Sequence, residues 1–328
     1  QMIAIIGENL QNTQELWFND QRAALTATLV TNRSIIVRVP TPIPRAITNE
    51  LKLIFANGET LVHNFVVDIS KPLVARMKSE YVNTGDIATF YGDFFYEPLV
   101  VTFAGGVQGE VVSVEDQILE VKVPDGAEPG PVLITSNFGE TESDFWFRDN
   151  RNIIASFDGT LANGIWRGPP YIFATDAVIE PINGKFIRVN QTLGAWPFFE
   201  LYGGPAEGDI GQEAKNIPEE AIINPGGFSL KFEINTLESL TGANMRLHLG
   251  TADNSGLDAA RQSSYYLWEA NVHTAGEWQT ITIPWENVYT GFPASAGGYS
   301  MFIYFHGPNA LTHNFALDNI RVVPNTND

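Results

Sequence analysis

MIAIIGENLQNTQELWFND, residues 2–20, and IATFYGDFFYEPLVVTFAG, residues 87–105, are two copies of one pattern. Laid over each other, Gly7 meets Gly92 and Phe18 meets Phe103. Downstream, Val37-Arg38-Val39-Pro40 matches Val121-Lys122-Val123-Pro124, Gly58-Glu59-Thr60 matches Gly139-Glu140-Thr141, and Phe65 matches Phe145. The offset drifts only from 85 to 80, as it does when a few loop residues differ. Landmarks kept in order make this a tandem repeat. The units fall at residues 1–69 and 70–149, which leaves 150–328 as a third.

Each copy reads as short alternating strands broken by Gly, Pro and Asn, the pattern of a β-sandwich. In Ile35-Ile36-Val37-Arg38-Val39-Pro40, successive side chains face opposite sides, and Pro40, without a ladder donor, ends the strand. Gly92 and Gly139 are expected at turn positions that want a positive φ. The second copy has a stretch before its Gly85-Asp86 turn, including Pro72-Leu73-Val74-Ala75, that the first copy does not match. The first unit is therefore expected to lack its opening strand, and the protein to extend upstream.

Composition narrows the chemistry. Of 328 residues, 44% are hydrophobic and 17% charged, an ordinary globular balance. Against 19 Lys+Arg stand 38 Asp+Glu, a net charge of −19. A surface that negative repels phosphate backbones and anionic lipid, so nucleic acid and acidic polysaccharides are poor partners, whereas neutral ligands and divalent cations remain. No cysteine is present, which excludes disulfides, thiolate catalysis and Cys-based zinc sites. No apolar run approaches the roughly 18 residues of a membrane-spanning helix. The five histidines, His63, His248, His273, His306 and His313, are scattered without HExxH spacing, and no phosphate-binding glycine loop occurs.

The repeated series of GENL or GDFF, FND or FAG, VxVP and GET…F resembles the IPT/TIG domain, an immunoglobulin-like fold. The resemblance covers residues 1–149 and implies spacers or dimerisation units, or DNA contacts that the acidic balance opposes.

From about residue 150 the composition shifts, and five of seven tryptophans lie beyond it. Strands are expected at 153–157, 185–190, 198–202, 228–234, 245–250, 265–270, 279–284, 299–305 and 315–323, with one helical turn at 219–223. Nine short strands between Gly, Pro and Asn loops predict a larger jelly-roll-type β-sandwich. The expected fold class is thus all-β, two immunoglobulin-like (IPT/TIG) sandwiches followed by this third unit. Ser156-Phe157-Asp158-Gly159, Gly276-Glu277-Trp278-Gln279-Thr280-Ile281-Thr282-Ile283-Pro284 and Leu317-Asp318-Asn319-Ile320-Arg321-Val322 resemble carbohydrate-binding modules of the β-sandwich type.

Two IPT-like repeats followed by such a module resemble the outer-surface glycan-binding proteins of Bacteroidetes polysaccharide-utilisation loci, in particular the B-type proteins of β-glucan and xyloglucan systems. The resemblance implies a non-catalytic binder of a neutral polysaccharide, a β-1,3, mixed-linkage or xyloglucan chain. It also implies a partner in the outer-membrane transporter complex of the same uptake system. An N-terminal lipid anchor upstream of Gln1 and a place on the outer leaflet of the outer membrane follow from it too.

A sugar ring offers an apolar face of C–H bonds, so a binder needs exposed aromatic platforms with a few polar side chains reading hydroxyls. Trp166, between Gly164 and Gly168-Pro169-Pro170, and Trp196, in Leu193-Gly194-Ala195-Trp196-Pro197, lie in loops and are the platform candidates. Their separation resembles that of the family's paired platform aromatics, although one flanking aromatic there is Ala195 here. Arg167, Tyr171, Glu200 and Arg246 are candidate hydroxyl contacts. Trp268 lies mid-strand and could face either surface. Trp278 opens an alternating strand and is expected in the core, and Trp285, after Pro284, at a structural edge. Asp158 and Asp318 occur where related modules often hold a structural calcium, although two carboxylates are not a site; no other cofactor is implied. Two rivals stand: a glycoside hydrolase or lyase drawing its acid and nucleophile from Glu200, Glu269 or Glu286, and a protein-binding adhesin. The two repeats are expected to act as a stand-off that adds nothing to affinity.

Overall fold

The computed structural model describes residues 1–158, 171–205, 217–251, 265–289, 291 and 299–327. The N-terminal unit comprises β1 (Met2–Ile6), β2 (Thr13–Phe18), β3 (Gln21–Arg22), β4 (Ser34–Arg38), β5 (Glu50–Phe55) and β6 (Thr60–Asn64). β1 pairs with β4 in one sheet, and the other runs β3-β2-β5-β6. Alternation decides which side of β4 is buried: Ile35 and Val37 turn inward onto Leu16, Phe18, Leu51 and Leu53, while Ile36 and Arg38 stay exposed.

The middle unit comprises β7 (Leu73–Met77), β8 (Ile87–Asp93), β9 (Leu99–Ala104), β10 (Val107–Gln108), β11 (Glu110–Val114), β12 (Ile118–Lys122), β13 (Glu128–Ser136) and β14 (Gly139–Phe147). Its sheets run β11-β12-β8-β7 and β10-β9-β13-β14. The repeat extends to strand register. Met2 faces Arg38 as Ile87 faces Lys122, and Leu16 faces Leu53 as Val101 faces Ile134. β8 also pairs with β7 on its free side, a neighbour that β1 lacks among the described residues. Gly139 has the expected positive φ (131°), but Gly92 does not. Gly92 lies inside β8, where a Cβ would overlap the Leu73 carbonyl of the neighbouring strand; close approach, not a turn, requires glycine there.

The C-terminal unit comprises β15 (Ile153–Ala155), β16 (Ile172–Phe173), β17 (Phe186–Leu193), β18 (Phe198–Pro205), α1 (Glu219–Ile223), β19 (Phe228–Thr236), β20 (Ala243–Thr251), β21 (Tyr266–Ala270), β22 (Gln279–Pro284), α2 (Trp285–Val288), β23 (Tyr299–His306) and β24 (Leu311–Pro324). All nine expected strands form, with ends moved by a few residues, and Ile172–Phe173 adds a short one. A six-stranded sheet runs β16-β17-β24-β19-β22, with β15 also on β24; a four-stranded sheet runs β18-β23-β20-β21. Between them, Leu230, Phe232, Ile234, Phe315 and Leu317 meet Met245, Leu247, Leu249, Met301, Ile303 and Phe305.

Two tryptophans depart from expectation. Trp285 is fully buried and its indole N–H donates to the Ala221 carbonyl (3.0 Å), so it is core rather than edge. Trp278 shares the parity of Thr280 and Thr282, opposite to the inward Ile281 and Ile283. It is half-buried, edge-on to Phe186, and donates to the Glu180 carbonyl (2.8 Å).

Candidate functional site

The outer face of the four-stranded sheet follows from alternation. On β20, Met245, Leu247 and Leu249 enter the core, which turns Asn244, Arg246 and His248 outward. On β23, Met301, Ile303 and Phe305 enter, and Phe302 and Tyr304 face out. On β21, Tyr266, Trp268 and Ala270 lie on the core side, leaving Leu267 and Glu269 outside.

These outward residues cluster. The Arg246 guanidinium lies 4.7 Å from the centroid of the Tyr265 ring, a cation–π stack. The His248 ring sits 5.0 Å from Tyr265 and 5.4 Å from Tyr304. His248 and Phe302 are buried although they face outward, whereas Arg246, Tyr265 and Tyr304 are half-exposed. Arg246 Nε is buried with no hydrogen-bond partner among the described residues. Strand register carries the row further: Arg246 pairs with Tyr304, and Tyr304 pairs on its other side with Glu200 of β18.

Trp196 lies at the end of that sheet. Its N–H donates to the Gly307 carbonyl (2.7 Å), one step beyond the Phe198–His306 pair that closes the β18–β23 ladder. It is 66% exposed, and its φ of 66° places it in the left-handed region that bulky residues avoid. A large apolar ring held open on strained backbone marks a surface kept for contact.

The other candidates are less united. Trp166 and Arg167 lie outside the described residues. Trp268 is turned inward, its ring 5.3 Å from and nearly perpendicular to Phe232, so it is no platform on the outer face. Its place in Tyr266-Leu267-Trp268-Glu269-Ala270 puts it on the parity of Tyr266 and Ala270. Tyr171 is half-buried and packs against the core. Asp158 is exposed and accepts the Lys185 N–H (2.6 Å). Asp318 is fully buried and caps the Asn319 N–H (2.8 Å). No group of three His, Asp or Glu able to hold a metal ion occurs among the described residues. Of the rival's acids, Glu269 lies on β21 of one sheet, while Glu286 lies in α2, which follows the other sheet's β22. The sequence reading missed His248, Tyr265 and Tyr304; the parity of Asn244, Arg246 and His248 against Met245, Leu247 and Leu249 was the signal for the first.

The arrangement is an exposed tryptophan at the end of a β-sandwich sheet whose outer face bears a row of aromatic rings and hydrogen-bonding side chains, chemistry suited to a neutral, hydroxyl-rich ligand. Residues 147–324, more than half of the chain, match the family model of the surface glycan-binding protein B xyloglucan-binding domain. The chain belongs to that family. The solved surface glycan-binding protein PbSGBP-B from Prevotella bryantii superposes with a TM-score of 0.67 at 22% identity, over 99% of this chain and 93% of that one. The SGBP-B from a complex xyloglucan utilization locus in Bacteroides uniformis gives 0.56 at 16% identity, over 98% and 95%. An IPT/TIG domain-containing protein of Bacteroides ovatus is 32% identical over an alignment of 109 residues that covers 29% of this chain and 21% of that protein. The chain thus matches about a fifth of that relative's length.

Proposed function

We infer that this protein holds a neutral β-glucan without cleaving it, and that the family model's xyloglucan is the first glycan to test. The observation that carries the reading is Trp196, 66% exposed on left-handed backbone at the end of the sheet whose outer face bears the Arg246–Tyr304 row. Stacking on the indole supplies affinity, and Arg246 with its neighbours reads hydroxyl positions. This face belongs to the four-stranded sheet, while Lys231, Thr280 and Arg321 of the six-stranded sheet bond Glu80 of the middle unit. The two immunoglobulin-like units therefore serve as a stand-off, carrying the face away from an outer-membrane surface to which an upstream lipid anchor ties the protein. There the captured chain passes to the transporter complex of the same uptake system. The acidic surface, at −19, favours neutral over anionic polysaccharides.

The test is native affinity electrophoresis of the purified chain against xyloglucan, mixed-linkage β-glucan, β-1,3-glucan and a polyanionic control, with reducing ends measured in parallel. Retardation by a neutral β-glucan without accumulation of reducing ends is expected. Migration unaffected by all three neutral glucans, or steady release of reducing ends, overturns the reading.

A further inference from the structure

The six-stranded sheet of the C-terminal unit buries charge on its outer face. Along β19, Leu230, Phe232 and Ile234 face the core, and Ser229, Lys231, Glu233 and Asn235 alternate with them outward. Such a row reads as a solvated face, yet all four are buried. Arg321 of β24, the cross-strand partner of Lys231, is fully buried too.

What meets this charge comes from the middle unit. Glu80, just beyond β7, is 4% exposed. One of its carboxylate oxygens accepts from Lys231 Nζ (2.5 Å) and the other from Arg321 Nη2 (2.6 Å). Arg321 is held from its other side by Glu233, at 2.7 and 3.0 Å. Thr280 of β22 knits the two units: its hydroxyl donates to Glu233 (2.9 Å) and accepts the Glu80 N–H (2.7 Å), and its own N–H donates to the Lys78 carbonyl (2.9 Å). Around this centre, Asn83 donates to the Pro181 carbonyl (3.0 Å), Asn327 donates to the Ser143 carbonyl (2.6 Å), and Trp146 donates to Asn327 (3.0 Å). Lys78 and Glu277 pair at the rim.

In this hydrogen-bonded network two acids meet two bases, but one acid belongs to the other unit. Without Glu80, Lys231 loses the acid it bonds and Arg321 keeps Glu233, whose cross-strand partner is the buried Asp318, so a buried cation is left without its hydrogen-bonded partner. We infer that the middle unit is the docking partner that completes the C-terminal sandwich, so that residues 70–328 fold and melt as one body with Glu80 as its joint. Immunoglobulin-like units in tandem ordinarily move against their neighbours; this one is fixed, and it sets the angle at which the opposite sheet is presented.

The test uses the full chain without glycan, so its outcome is separate from that of the binding assay. Calorimetry and hydrogen exchange should show β8, β12, β19 and β24 opening in one shared transition. Glu80→Gln should lower that transition by roughly 5–10 °C. Glu277→Gln, at the rim, should move it by less than about 2 °C. Glu80→Met combined with Lys231→Met, which leaves the neutral Arg321–Glu233 pair, should recover most of the loss, and should do so even if Glu80→Gln alone does not fold. Separate melting of the two units in the unaltered chain overturns the inference. So does a Glu80→Gln shift no larger than that of Glu277→Gln, or a double variant no more stable than Glu80→Gln.

Discussion

Replacing Trp196 with alanine removes the ring while leaving its surroundings almost untouched, because two thirds of the residue already lies in solvent. A tryptophan presents about 250 Å², so an exposure of 66% leaves roughly 160 Å² open. A sugar ring stacked on one face covers about half of that, and ~80 Å² at about 25 cal/mol per Å² comes to ~2 kcal/mol. Affinity should then fall about 30-fold. The figure lies within the ~1–3 kcal/mol that stacking on an aromatic contributes in nucleic-acid binders. Alanine keeps the left-handed backbone strain, so the substitution gains little back. Stability should barely change, whereas Trp285→Ala, at 0% exposure, opens a core cavity costing about 3–5 kcal/mol. Calorimetric titration with a xylogluco-oligosaccharide and a thermal melt on each variant separate the cases. If Trp196→Ala binds as the parent does, or melts as low as Trp285→Ala, the indole is not a platform.

Three further outcomes follow from single residues. Arg246→Ala should weaken glycan binding by about 1.5–3 kcal/mol, the range for a hydrogen bond from a charged group; titration by calorimetry reads it, and Arg246→Lys should recover only part. His313 is buried between Phe305 and Phe315, and desolvation holds its pKa below the ordinary 6.5. Unfolding therefore takes up a proton once pH falls below about 6.5, so stability should be full above that value and decline beneath it. Melting temperatures at pH 7.5 and 5.5 should differ by less in His313→Gln than in the parent. Gly92→Ala drives a methyl into the Leu73 carbonyl and should destabilise the joined middle and C-terminal units by about 1–3 kcal/mol in denaturant unfolding, the scale of an overpacked core.

Much of the architecture was legible because it is written in local terms. The repeat showed in side chains that a strand pair needs at fixed places, and the same offsets reappear as register: Met2 with Arg38, Ile87 with Lys122. The strands of the C-terminal unit were visible because period two and the Gly, Pro and Asn between them are properties of short segments. Gly92 was misread because its constraint comes from β7, about twenty residues earlier in the chain, and no local pattern reports a neighbour's carbonyl. Trp285 was misread for the same kind of reason, since what buries it includes Ala221 on α1.

The site shows the limit most sharply. Ser229, Lys231, Glu233 and Asn235 on β19 and Asn244, Arg246 and His248 on β20 are the same message in sequence: polar side chains alternating with core residues. Alternation says which residues leave the core, but it is silent on what they leave it for. One row is roofed by the middle unit and bonded by Glu80; in the other, Asn244 and Arg246 are half-exposed and His248 is covered, on the sheet that has Trp196 at its end. What separates them is a carboxylate about 150 residues away in the chain, and only the assembled fold brings it into place. A binding face on such a sandwich is therefore sought in the outward row that the middle unit does not roof among the described residues. Charge alone points the wrong way here, because the more highly charged row is the buried one.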